Sequence, residues 1–337
     1  MNLPASLIAV AALVTLACAP SRAEPPALDR QARTRIVNNA SQSLEARYIF
    51  PEMGRQAAAH IVEQNAKGAY DGLSTTEEFA TRLTTDLQAI TNDKHMRAMA
   101  PRQPGNSGAR PERPASEGGV VRADILADNI GYLEILGFEA LDDFRPPIDR
   151  AMAELEGVGG LIIDLRRNGG GDPQSVSWLI SYFLEGAEPV HVNDFVTRIH
   201  GTTDEAVEEF WSSPTPVSLH GVPLYVLTSD RTFSAAEEFS YDIKVMGLGK
   251  TVGATTGGGA NPGDVVALGH GIDLFVPDGR ARNPITGTNW EGVGVKPDIA
   301  SPKENALSTA LQHLGVANPS DDIDKLSVKR VFEPQSR

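Results

Sequence analysis

Between residues 28 and 98, apolar side chains recur three and four positions apart over 31–46, 53–66 and 74–90. That spacing predicts three amphipathic helices. Ser74-Thr75-Thr76-Glu77 has the form of a capping box at the start of the third. From Val120 the period changes. Short apolar runs at 121–126 and 130–136 flank a turn at Ala127-Asp128-Asn129 and read as strands, with a helical pattern following at 140–156. A strand at 160–165, a helix at 174–184, a strand at 223–228 and a helix at 234–246 continue the alternation, which predicts a parallel sheet with helical crossovers. Residues 252–297 are Gly-rich and strand-like, and 305–314 would form a closing helix. The stretch 100–119 is rich in Pro, Gly, Arg and Ser and reads as a linker. The organisation expected is an N-terminal helical bundle forming a domain over 24–99, the linker over 100–119, an α/β domain over 120–316 and a tail over 317–337.

The first 23 residues carry a different pattern. An apolar run over 7–19, too short for a stable span, precedes Ser21-Arg22-Ala23, which predicts an export signal cleaved before Glu24. The mature protein would then be periplasmic or secreted, with no integral membrane segment. Cys18, the only cysteine, would be lost with the signal, leaving no disulfide, thiol chemistry or cysteine-ligated metal. No His-Glu-x-x-His pattern occurs, so neither a metal nor a cofactor is expected. A net charge of −14 argues against a nucleic-acid partner or an anionic lipid surface. Nothing in the chain fixes an oligomeric state.

Two motifs carry candidate chemistry. In Leu161-Ile-Ile-Asp164-Leu-Arg166-Arg-Asn168-Gly169-Gly170-Gly171, three glycines after a strand permit a tight turn whose amides face a ligand. No Gly-Lys-Ser/Thr follows, so this is not a phosphate loop. In the second, a buried strand ending at Thr228 passes through a short turn into a helix beginning at Ser234, followed by Ala235-Ala236-Glu237. A hydroxyl there sits beside unpaired helix-start amides, which stabilise negative charge as acyl transfer requires. The same four residues also form a capping box, and most serines in such a box only cap a helix.

In this order, the two motifs resemble those of the tail-specific, or C-terminal processing, serine peptidases, a superfamily that includes the tricorn core and interphotoreceptor retinoid-binding protein. The resemblance covers roughly 120–301. It implies an α/β fold with a crotonase-like β/α core, Ser234 as nucleophile, and an oxyanion hole from the amides of Gly170 and Ala235, with Gly169 as a substitute for Gly170. Processing peptidases pair the serine with a lysine in a downstream Gly-Lys-Gly turn. Here Gly259 occupies that place, and Lys244 and Lys250 lie outside it. The tricorn-like and retinoid-binding-protein-like branch instead has a histidine before the core and a glutamate near Gly-x-x-Pro-Asp. Thr91-Asn-Asp-Lys-His95 and Glu291-Gly-Val-Gly-Val-Lys-Pro297-Asp298 are similar to these. The resemblance therefore implies His95 as base and Glu291 as supporting acid, reaching the histidine through a hydroxyl for which the sequence offers no candidate. Among seven histidines a surface role is the ordinary one, and a loop glutamate is usually solvated.

The reading is an exported serine hydrolase acting on peptide or protein substrates. A binding protein for apolar small molecules would keep the fold without the chemistry, but would not need Ser234, His95 and Glu291 together. An acyl-CoA enzyme on the same core conflicts with export, since coenzyme A is cytosolic.

Overall fold

The computed structural model describes residues 28–101, 114–186 and 188–334. The expected export signal, including Cys18, lies outside the described residues, as does most of the expected linker.

The chain opens with α1 (Arg30–Arg47), α2 (Pro51–Ala66) and α3 (Thr76–Thr91), followed by β1 (Arg97–Met99). The capping box at α3 falls one residue later than the sequence pattern placed it. Thr75 accepts from the Glu78 amide, and the Glu78 carboxylate accepts from the Ser74 and Thr75 amides, because Glu78 reaches both. Then come β2 (Val120–Leu126), β3 (Ile130–Ile135), α4 (Leu141–Glu154), β4 (Gly160–Asp164), α5 (Pro173–Ser181), β5 (His191–Arg198) and β6 (Glu205–Trp211). The chain continues through β7 (Leu224–Thr228), α6 (Ala235–Val245), β8 (Lys250–Gly253), β9 (Gly263–Gly269), β10 (Ile272–Pro277), β11 (Gly279–Arg282) and β12 (Ile299–Ala300). It closes with α7 (Ala306–His313), α8 (Ile323–Leu326) and β13 (Ser327–Phe332).

A seven-stranded sheet in the order β12-β8-β7-β4-β3-β2-β13 forms the centre. From β12 to β3 the pairs are parallel; β2 and β13 are antiparallel. Residues past 317, read from the sequence as a tail, thus supply an edge strand. Strands β3, β4 and β7 are almost wholly apolar and buried, as a sheet covered on both faces requires. Two small sheets, β1-β10-β9 and β11-β5-β6, complete the fold.

The N-terminal helices share a core with later strands. Ile36, Leu44, Ile61, Phe79 and Leu87 share one apolar cluster with Met96 and with Leu268, Ile272, Leu274 and Val276 of β9 and β10. Burying these side chains ties α1–α3 to the strands that follow the Gly-rich loop, and that attachment carries the α3–β1 turn to the C-terminal ends of β4 and β7. Open α/β sheets bind ligands at those strand ends.

Candidate active site

Strands β4 and β7 are neighbours, and the loops leaving them are stitched together. Thr232 Oγ donates to the Leu165 carbonyl at 2.8 Å, Ser229 Oγ to the Arg166 carbonyl at 2.6 Å, and the Phe233 amide to the Asn168 carbonyl at 3.1 Å. The Asp164 carboxylate accepts from Arg166 and from the Tyr132 hydroxyl, which fixes the base of the glycine loop; neither points to chemistry.

Ser234 is half-buried at the start of α6, with φ 56° and ψ −123°. A non-glycine residue in this region is strained and persists only where its surroundings hold it. The hold here is Glu237. Its buried carboxylate accepts from the Ser234 amide at 2.9 Å, Thr256 Oγ at 2.5 Å, and the Gly258 and Gly259 amides at 2.6 and 2.8 Å. Burial pushes this carboxyl up, and the four donors oppose that. One side chain therefore joins the Ser234 turn to the Gly-rich loop.

Gly170 packs against Ser234. With φ 101°, a Cβ there would lie 2.6 Å from Ser234 Cβ and 2.9 Å from the Ala235 nitrogen, so only glycine fits. Its amide donates to Asn168 Oδ1 at 2.8 Å and is thereby occupied.

His95 follows the left-handed cap residue Asn92 (φ 51°) that ends α3. Its buried ring rests on Phe233, the residue before Ser234, with centroids 4.5 Å apart, and faces Phe275 at 5.9 Å. Side-chain oxygens or nitrogens of Asp93, His95 and Glu291 all lie within 4.8 Å of one another. The fold thus gathers His95 and Glu291, 196 positions apart in the chain, with the His95 ring resting on the neighbour of Ser234. His95 Nδ1 is buried without a partner, 4.0 Å from Asp93 Oδ1, and Glu291 Oε1 is likewise buried and unpaired, while Oε2 accepts from the Ala260 amide. Burial pulls the imidazole down to about 4, helped by the charge of Arg97. Burial pushes the Glu291 carboxyl up to about 8, with Asp93 adding to it.

Asp93 was not singled out by sequence as a group in its own right. It accepts from the His95 amide at 2.9 Å, Asn261 Nδ2 at 2.9 Å and the Tyr48 hydroxyl at 3.3 Å, and so pins the His95 turn. Its place two residues before a candidate base was the available signal. Tyr48 and Asn261 gave none.

Two nearby lysines are engaged. Lys244 Nζ pairs with Asp298 at 2.9 Å and bonds the Lys296 carbonyl, while Lys94 bonds the Gly257 carbonyl. A Cβ on Gly259 would fall 2.3 Å from Phe233 and 2.7 Å from His95 Cε1, so a side chain there meets both rings.

A half-buried serine held in strain at a helix start, preceded by a phenylalanine on which a buried imidazole rests, is a candidate arrangement for acyl transfer. The sequence model of peptidase family S41 matches residues 129–301, and the N-terminal domain of Peptidase_S41 in eukaryotic IRBP matches 27–128. The chain belongs to peptidase family S41, a family of serine peptidases. It is 27% identical over 173 residues to the chloroplastic C-terminal processing peptidase of Tetradesmus obliquus, and 26% identical over 181 residues to the carboxy-terminal processing protease CtpB of Bacillus subtilis (strain 168). These matches cover 50% and 52% of this chain and 34% and 35% of the relatives, so the chain spans about a third of their length. Among solved structures, one from Parabacteroides merdae ATCC 43184 superposes with a TM-score of 0.61 at 19% identity, covering 86% of this chain and 98% of the other. The photosystem II D1 C-terminal processing protease gives 0.53 at 16%, covering 86% and 98%, and the tricorn protease 0.55 at 14%, covering 88% and 36%. The fold is that of the S41 peptidases.

Proposed function

We propose that the chain is an exported serine peptidase with a crotonase-like core, in which Ser234 is the nucleophile, His95 the general base and Glu291 the supporting acid. The observation that carries this reading is the gathering of Asp93, His95 and Glu291 against Phe233, the neighbour of Ser234. Ser234 Oγ attacks the peptide carbonyl while its proton passes to the outer imidazole nitrogen. The imidazolium then gives that proton to the leaving amine, and water repeats the sequence on the acyl-enzyme. Nδ1 faces the buried side toward Asp93, so a Glu291 carboxylate within the cluster stabilises the imidazolium. The oxyanion takes the Ala235 amide. Because the Gly170 amide is committed to Asn168, the Gly169 amide is the second donor. No helix among the described residues is long and apolar enough to cross a membrane, which is compatible with an exported chain.

Two experiments test the reading. A fluorophosphonate probe should label the wild-type protein and not Ser234→Ala. His95→Ala should slow pre-steady-state acylation by a factor on the order of 10² or more. Labelling of Ser234→Ala, or wild-type acylation in His95→Ala, rejects the assignment.

A further inference from the structure

The pocket against Ser234 has a floor that bond cleavage alone does not require. It encloses about 100 Å³, and Phe195, Pro262, Ala281 and Trp290 give it apolar walls. Glu238 lines the same space. It stands four positions after Ser234, on the first turn of α6, and both residues line this pocket.

Glu238 is 1% exposed, and its Oε1 has no hydrogen-bond partner. Asp242, one turn further and fully buried, has an unpartnered Oδ2, while its other oxygen accepts from Asn283 Nδ2 at 2.8 Å. Asn193 lies against Glu238 from β5, fully buried, with neither its oxygen nor its nitrogen in a well-formed bond. Among the described residues no ion pair involves Glu238 or Asp242. Burial, then the charges of Asp242 and Asp172, push the Glu238 carboxyl well up; burial does the same to Asp242.

Buried polar atoms are ordinarily paired, and buried acids ordinarily meet a cation. Here acceptor capacity collects at the bottom of an apolar slot with no counter-charge. A charged head on a methylene stem supplies what is missing: the stem lies along the apolar walls, and the ammonium favours the ionised form of the raised Glu238 carboxyl. A norleucine side chain would fill the slot but leave the acid unpaired, and sites built to bond a polar group reject analogues that lack it. A guanidinium is wider and planar, so the small volume favours lysine over arginine.

We propose that Glu238 forms the floor of the subsite for the residue whose carbonyl Ser234 attacks, and that this subsite selects lysine. The proposal rests on Ser234 as the nucleophile. It is tested with peptides differing only at that residue: lysine, arginine, norleucine or alanine. Lysine should exceed norleucine in kcat/KM by at least tenfold in the wild type. Glu238→Gln should bring the two to parity or invert them, and Glu238→Asp should retain part of the preference. Circular dichroism melts check that each variant is folded. The same pairs are measured for binding to Ser234→Ala by fluorescence anisotropy, where the lysine peptide should again bind at least tenfold tighter. Equal or reversed preference in the wild type, or a lysine preference that survives Glu238→Gln, overturns the proposal. If no peptide is cleaved, the assignment of Ser234 fails, and the binding ratio in Ser234→Ala still decides the subsite.

Discussion

Replacing Glu291 by glutamine should remove the alkaline limb of the pH–rate profile. The wild-type carboxyl is pushed up to about 8 by burial and by Asp93. At pH 7 roughly one molecule in ten therefore carries the carboxylate, and at pH 9 roughly nine in ten. If the anion stabilises the imidazolium formed as Ser234 gives up its proton, kcat/KM rises about tenfold over that interval. His95 adds no limb there. Burial holds its imidazole near 4, well below the ordinary 6.5, so the base is already neutral across the range. Opposite charges 4.8 Å apart, the outer bound for this cluster, attract by about 3 kcal/mol at an effective dielectric near 20. That sets the loss at high pH in Glu291→Gln at between two and three orders of magnitude, shrinking by about one at pH 7. The assay is kcat/KM for a peptide of fixed charge from pH 5 to 9.5 in both proteins. A flat wild-type profile between pH 7 and 9, or the same limb in the variant, refutes the role given to the carboxylate.

Glu291→Gln should also raise the melting temperature more at pH 8.5 than at pH 5: with the folded carboxyl raised, stability falls as pH climbs from the unfolded value toward 8, and the amide escapes that loss. Ser234→Gly should be inactive yet melt above Ser234→Ala, because glycine adopts φ 56° without strain worth on the order of 1 kcal/mol; equal melting points would deny the strain. Lys244→Ala and Lys250→Ala should each keep most activity, and a loss matching Ser234→Ala would restore a serine–lysine mechanism. The mature protein should begin at Glu24, or within a residue or two of it, and lie outside the cytoplasm; a mature N-terminus at Met1 would contradict export, and lipid on Cys18 would contradict cleavage before Glu24.

Periodicity located the three N-terminal helices and every strand from β2 to β4, because each buries a regular stripe or a continuous apolar run. It missed the β5–β6 hairpin. Strand β6, Glu-Ala-Val-Glu-Glu-Phe-Trp, lies at a sheet edge with nearly all of it exposed, so no burial stamps a pattern on it. The strand β13 was missed for the same reason, since half its residues face solvent. In the site, the motifs singled out Ser234, His95 and Glu291 as candidates, whereas the packing of the His95 turn on Phe233 was not legible: it depends on α1–α3 sharing a core with β9 and β10. Glu238 was hidden by its type. An acid on a helix reads as solvated, and only the packing of Asn193 of β5 against it shows that it is buried.

The crowding around Gly259 has a consequence for how such a site can change. A side chain there would meet the Phe233 ring first and the His95 ring next, so on the proposed mechanism a lysine base at 259 and an imidazole base at 95 are alternatives at one place rather than additions to each other. On that reading, installing the lysine alone would displace both rings, and deleting the histidine alone would leave Ser234 without its base. Passage from one chemistry to the other then needs Gly259→Lys, His95→Gly and a shift of Phe233 together. A glycine at this position is therefore informative by its smallness: it marks space already let to another tenant.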